Sequence, residues 1–265
     1  MNPKSVDGNL SKLHSMQEEL VLVGPPTQLV GMLHLENKSD EPVVIDQAPL
    51  KRGLLNVATK KRLDKSGKLR FTGHLAAGES KNQRVLFAMD PHTAPGTYES
   101  EVVIGEKTRK ATLIVQNDLS IILNPNFILL VGIEPGKKHT VAVQLANNGN
   151  IPIEVPNLRH STTLDMDLFC RNLALAVRES GDQGGVALLD TFAKGLKKDM
   201  AGWIDWNVAE AGQRIEPGQM KLLHITLTLP QDIHLEREYE GNIRIYDKLL
   251  SYTIIADARQ PGSRV

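Results

Sequence analysis

The sequence predicts an all-β fold of two β-sandwiches in tandem, the second interrupted by an α-helical hairpin. Three observations carry that reading. Short runs of alternating apolar residues recur along the chain with turn signals between them, the pattern of small antiparallel sandwiches. One stretch occurs twice: Leu145-Ala146-Asn147-Asn148-Gly149-Asn150-Ile151-Pro152-Ile153 repeats Leu35-Glu36-Asn37-Lys38-Ser39-Asp40-Glu41-Pro42-Val43. In both, an apolar strand runs into a polar turn, and a proline leads into a second apolar run. Later positions correspond at a larger spacing, so the second copy holds roughly 30 extra residues, and these have helical rather than strand periodicity.

Taken in order, residues 1–18 are polar, with Leu10, Leu13 and Met16 at helical spacing, and read as a loose tail with one short helix. The first sandwich covers 19–117. Glu19–Val23 is a strand closed by Gly24-Pro25-Pro26, and Gln28–Glu36 is the next, with Leu29, Gly31, Leu33 and Leu35 on one face. Pro42 then opens Val43–Ile45, since the first position of a strand needs no ladder donor. After a basic stretch and the turn Leu75–Ser80, Gln83–Met89 is a strand. Tyr98–Ile104 and Ala111–Val115 close the copy as a hairpin.

The second sandwich covers 118–257 and repeats this order. Ile128–Gly132, His139–Leu145, Leu222–Leu229, Tyr239–Ile245 and Tyr252–Ile255 are its strands, and residues 258–265 form a polar tail. A period of this size marks a duplicated domain and not a solenoid unit. The insertion spans about 162–202. Met166, Phe169, Cys170, Leu173, Ala176 and Val177 fall on one face of a first helix, with Ser161, Thr162 or Thr163 as its cap. Leu188, Leu189, Phe192, Ala193, Leu196 and Met200 fall on one face of a second. Cys170, on the apolar face, is expected to be a buried, unreactive thiol.

Composition narrows the function classes. Hydrophobic residues make up 41% of the 265 and charged residues 23%, which fits a folded chain and not a disordered one. Thirty-one basic residues balance 31 acidic ones, so the molecule as a whole has no pull toward nucleic acid or anionic membrane. A single cysteine allows no intramolecular disulfide. The first residues lack the apolar core of a signal peptide, and no apolar run approaches the roughly 18 residues of a membrane span. A cytoplasmic location is therefore expected, with the periplasm as the alternative if a leader precedes this sequence.

No catalytic constellation emerges. The eight histidines form no H-x-H or H-E-x-x-H pattern, and there is no second cysteine for a zinc site. His34 and His224 lie within strands, where a satisfied structural histidine is the simpler reading. Asp165-Met166-Asp167, at a helix start, complements the helix dipole more simply than it binds a metal. Phosphate-binding glycine loops and G-x-S-x-G are both missing. The chain is expected not to be an enzyme and to carry no cofactor or metal.

Two segments differ between the copies and hold the candidate binding residues. The first copy has Lys51, Arg52, Lys60, Lys61, Arg62, Lys65, Lys68 and Arg70 against Asp64 alone. Such a run is either a solvated loop or edge-strand guard, or a surface for an acidic protein. Nucleic acid is disfavoured because no aromatic residue is interleaved before Phe71. The second copy has the helical hairpin, with Phe192 and Leu196, followed by Trp203 and Trp206. The tryptophans either return the chain to its core or anchor a partner.

The order of elements, with the turn "ENKSDEP" and the run "AAGESKNQRVLF", resembles immunoglobulin-like modules without the disulfide. These include the hydin and major-sperm-protein type, bacterial modules attached to larger enzymes, and pilus chaperones. The resemblance implies a binding or structural role. The resulting expectation is a non-enzymatic structural or adaptor protein contacting protein subunits of a larger assembly, with homo-oligomerisation compatible. The alternatives are a periplasmic chaperone-like protein and an accessory subunit of an enzyme complex.

Overall fold

The computed structural model describes residues 12–15, 17–51, 53–63, 68–104, 106–161, 166–181, 183–199, 204–231, 233 and 237–256. Among the described residues strand far outweighs helix. It divides into two compact units, one of Met1–Ser120 with Asn148–Ile151, the other of Ile121–Asn147 with Pro152–Val265.

The first unit holds β1 (Leu13–His14), β2 (Glu19–Gly24), β3 (Leu29–Asn37), β4 (Val43–Pro49), β5 (Leu54–Asn56), β6 (Arg62–Leu63), β7 (Lys68–Leu75), β8 (Ser80–Phe87), β9 (Gly96–Ile104) and β10 (Lys107–Val115). They join in the order β4-β7-β8-β3-β2-β10-β9-β5-β6, with β1 on β3. This sheet folds over one core. Leu33, Leu35, Leu75 and Val85 from one half share a buried cluster with Leu22, Tyr98, Val102 and Leu113 from the other. A bridge from Leu50 to Val102 ties the end of β4 back to β9.

The second unit holds β11 (Ile121–Asn124), β12 (Phe127–Val131), β13 (Lys138–Asn147), β14 (Ile153–Glu154), β15 (His160–Ser161), the helices α1 (Met166–Ser180) and α2 (Gly185–Asp199), then β16 (Ile204–Val208), β17 (Arg214–Ile215), β18 (Met220–Thr228), β19 (Arg237–Ile245) and β20 (Lys248–Ala256). Sheet β11-β13-β18-β16-β15 and sheet β12-β20-β19 face a common core, and β14 pairs with β17. Val143, Leu145, Leu223 and Ile225 meet Ile128, Tyr239, Tyr252 and Ile254 there.

The duplication extends to individual hydrogen bonds. Met32 pairs with Arg84 and Leu33 with Gln83; the equivalents Ala142 and Val143 pair with His224 and Leu223. The first long strand of each unit runs parallel to the last, β2 on β10 and β12 on β20. Asn37 and Asn147, both buried, end β3 and β13. Their amides donate to Glu79 O and Gln219 O, each at 2.9 Å. Their side chains donate across the unit as well, Asn37 Nδ2 to Ala76 O at 2.9 Å and Asn147 Nδ2 to Ile215 O at 3.0 Å. Both receiving turns place glycine at positive φ, Gly78 at 69° and Gly218 at 76°, where a Cβ is disfavoured.

The N-terminal segment differs from expectation. Leu13–His14 is a strand on β3 and not part of a helix, because burying Leu13 in the core outweighs a short helix's weak propensity. Arg109 secures this segment by donating from Nη1 to Gln17 O and from Nη2 to Ser15 O.

Several carboxylates are tied into the strands. The Ala76 amide donates to Glu79 Oε2 at 2.6 Å, with Lys81 alongside, and this holds Glu79 below its usual value of 4.5. Thr112, and after it Lys110, lower Glu19 in the same way. Burial pushes Glu210 up, but the imidazole and amide of His224 outweigh it and the net shift is downward. Groups with depressed folded values contribute stability above the unfolded value and lose it as pH falls through the folded one. The thermal midpoint should therefore hold steady from neutral pH to about 5 and decline below about 4.5. Melting curves between pH 7 and 3 check this, and a midpoint flat to pH 3 contradicts it.

Candidate protein-binding surfaces

The β5–β6 hairpin carries part of the basic segment, and Asn56 shapes it. Its Oδ1 accepts from the amides of Ala58 at 3.0 Å and Thr59 at 2.9 Å, an Asx turn. The Asn56 amide donates to Lys61 O at 2.9 Å, and Lys60, at φ 56°, donates back to Asn56 O at 2.9 Å. This tight loop sets Lys61 and Arg62 on the rim of a cleft of about 780 Å³ in the first unit. Leu54, Phe87, Met89 and Tyr98 give the cleft an apolar lining. Its far wall is the Phe87–Ala94 segment, held by Met89 N donating to Pro26 O at 2.7 Å, His92 N to Asp90 Oδ1 at 3.0 Å, and Tyr98 Oη to Ala94 O at 2.7 Å. Chemically the cleft offers a place for an apolar side chain beside two cations, Lys61 and Arg62, and one carboxylate, Asp90.

The other basic residues do not gather there. Lys51 lies beyond β4, its amide on Glu101 O at 2.7 Å and its Nζ on Thr108 Oγ1 at 3.2 Å. Lys68 and Arg70 are exposed on β7, alternating with buried Leu69. Arg62 occupies the terminal strand of its sheet, where a charge blocks edge pairing. Arg52 and Lys65 lie outside the described residues.

In the second unit, α1 and α2 pack on each other, and Phe169 meets Phe192 edge-to-face at 5.0 Å and 89°. At Gly195 the two helices come close enough that an added Cβ would stand 2.6 Å from Asn172 Oδ1. The buried face of α1 differs from the expected one. Leu168, Asn172, Ala176 and Ser180 are buried, whereas Leu173 and Val177 are exposed, and Cys170 is an exposed thiol rather than a buried one. On α2, Leu188, Phe192 and Leu196 are half-buried, while Leu189 and Val186 are exposed, the latter at 84%. Leu175 and Val186, which periodicity did not single out, thus join Leu173, Val177 and Leu189 as exposed apolar residues of the hairpin.

Trp206 takes the core role of the two read for it. On β16 it is 4% exposed, stacks on Tyr252 at 5.1 Å, and donates from Nε1 to Ser161 Oγ at 2.6 Å. Ser161 Oγ also bonds Tyr252 Oη at 2.8 Å, so it serves this cluster. Burial raises the Tyr252 hydroxyl above its usual value and keeps it protonated. Trp203 lies outside the described residues.

His34 and His224 are satisfied locally, His34 by Asn82 Oδ1 and Ser80 Oγ at 2.9 Å each, and His224 by Glu210. Among the described residues no three His, Cys, Asp or Glu side chains converge as a metal site requires, and no helix is long and apolar enough to cross a membrane.

No family model matches the chain, and no curated protein matches it. Solved structures match weakly. A chaperone–tip adhesion subunit complex, CsuC–CsuE of Acinetobacter baumannii, is 9% identical over 83% of this chain and 94% of that one, with a TM-score of 0.34. The titin domains Z1Z2 in complex with telethonin are 9% identical over 94% and 98%, with a TM-score of 0.28. The alkylpurine DNA glycosylase AlkC of Pseudomonas fluorescens is 16% identical over 40% of this chain and 31% of that one, with a TM-score of 0.28. At these scores no role is carried over.

Proposed function

We propose that the chain is a non-enzymatic adaptor or structural protein built of two tandem immunoglobulin-like sandwiches, which holds protein subunits in a larger assembly. One observation supports this above the rest: the apolar cleft of the first unit with Lys61 and Arg62 on its rim. It suits an acidic protein segment that inserts a large apolar side chain, the cations pairing with carboxylates while the pocket provides apolar burial. The exposed apolar residues of α1 and α2 supply a second contact in the same assembly.

The test is affinity isolation of the native protein with mass determination of what accompanies it, followed by Lys61→Glu with Arg62→Glu. Both side chains are exposed, so the fold should survive. Partner retention is expected to fall at least about tenfold, and its salt dependence to weaken. Unchanged retention removes the cleft from the reading. A chain that accompanies nothing but itself overturns the adaptor role.

A further inference from the structure

We infer that β12 is the face through which two copies of this chain associate, edge to edge and antiparallel about Leu129. The first unit provides the reference. There the equivalent strand β2 has a neighbour on each side: β10 runs parallel on one, and β3 closes the other through Leu22–Gly31 and Val23–Val30. In the second unit β20 takes the parallel side, from Phe127–Ser251 to Val131–Ile255. The counterpart of β3 is β13, which pairs with β11 and β18 instead, and among the described residues no strand lies on the other edge of β12. The ladder to β20 uses the even-numbered residues, with Gly132 N donating to Ile255 O and Ser251 N to Asn126 O, each at 2.9 Å. Alternation therefore turns the N–H and C=O groups of Phe127, Leu129 and Val131 to the open edge. Another extended strand is what matches such a row.

The side chains specify which strand. Phe127, Leu129 and Val131 are 49, 55 and 59% exposed on the outward face. Phe-Ile-Leu-Leu-Val contains no charge and no proline, so it lacks the usual devices that keep edges apart. The opposite edge of the same sheet, β19, exposes Glu238, Glu240 and Arg244, so of this sheet's two edges β12 is the one without charge. β12 also complements itself. In an antiparallel pair about Leu129, Leu129 meets its own copy and Phe127 meets Val131, merging two apolar strips with no charges opposed. The contact is isologous and closes as a two-fold dimer.

Light scattering on the whole chain at tens of micromolar is expected to give twice the chain mass (about 8 kcal/mol of association corresponds to micromolar affinity). Amide hydrogen exchange at Phe127, Leu129 and Val131 should slow as concentration rises. Leu129→Lys sets two ammonium groups face to face on an exposed position. It should leave the chain folded, with a melting curve matching that of wild type at a dilution where the dimer has dissociated, while weakening the dimer by about a hundredfold or more. A wild-type chain that stays monomeric over this range overturns the inference. So does a dimer that survives Leu129→Lys, which would place the contact elsewhere. The inference does not rest on the cleft: Leu129→Lys should leave partner retention through Lys61 and Arg62 intact.

Discussion

Gly241→Ala is expected to unfold the second unit or to cost it about 3 kcal/mol or more, an overpacking effect in a site that cannot relax. Gly241 on β19 lies directly across from Tyr252 on β20, and the tyrosine ring leans over it. A Cβ built at Gly241 would stand 2.1 Å from Tyr252 Oη and 2.3 Å from its Cζ. The ring has nowhere to go, because Tyr252 is 1% exposed, stacked on Trp206 and bonded to Ser161. Denaturant unfolding measures the loss. Tyr252→Leu in the same background should restore part of it by removing the clash, a coupling that two independent sites would not show. A Gly241→Ala protein within about 0.5 kcal/mol of wild type would falsify this account of the cluster.

Asn37→Ala and Asn147→Ala are expected to cost their respective units similar amounts, about 2–4 kcal/mol each. Each asparagine is buried and joins the end of one strand to a turn far along the chain. Asn37 Nδ2 donates to Ala76 O and also to Glu41 O at 2.8 Å, while its Oδ1 accepts from Ser39 N at 3.1 Å. Removing either side chain breaks bonds made from a buried position, and at Asn147 it takes a donor from the carbonyl of buried Ile215, which costs more than the net value of the bond lost. Asn147 repeats the role toward Ile215 O. Unfolding curves of the two single variants check the equivalence. A large loss at one position and none at the other would mean that the matched turns do not do matched work.

The parts of the fold readable from the chain were those with long-range regularity. Leu29, Gly31, Leu33 and Leu35 alternate strictly over a whole strand, and the repeated Asn turn fixed where its equivalent had to lie. β1 and β11 escaped because two to four residues are too few to show a period. The buried face of α1 was misplaced for a different reason. Hydrophobicity selects Leu173 and Val177, but the approach of Gly195 to Asn172 turns a partly polar face inward. The cleft was half legible. Lys61 and Arg62 stood out by charge, whereas Leu54, Met89 and Tyr98 are scattered in sequence and converge only when β5 pairs with β9 and the chain beyond β8 folds back.

The helical insertion leaves the sheet at β15 and returns at β16, and these two strands are hydrogen-bonded neighbours, with Ser161 opposite Ile204. Departure and return points are thus about 5 Å apart, the spacing of an ordinary antiparallel pair. To the surrounding sandwich a long excursion closed across such a short gap is little different from a tight turn, because loop-closure cost grows only slowly with length. The second unit therefore has a natural grafting port. A tight turn set between Ser161 and Ile204 should leave the sandwich folded, and a foreign helical pair could be exchanged for the resident one. A duplicated scaffold can in this way change its outer surface without renegotiating its core.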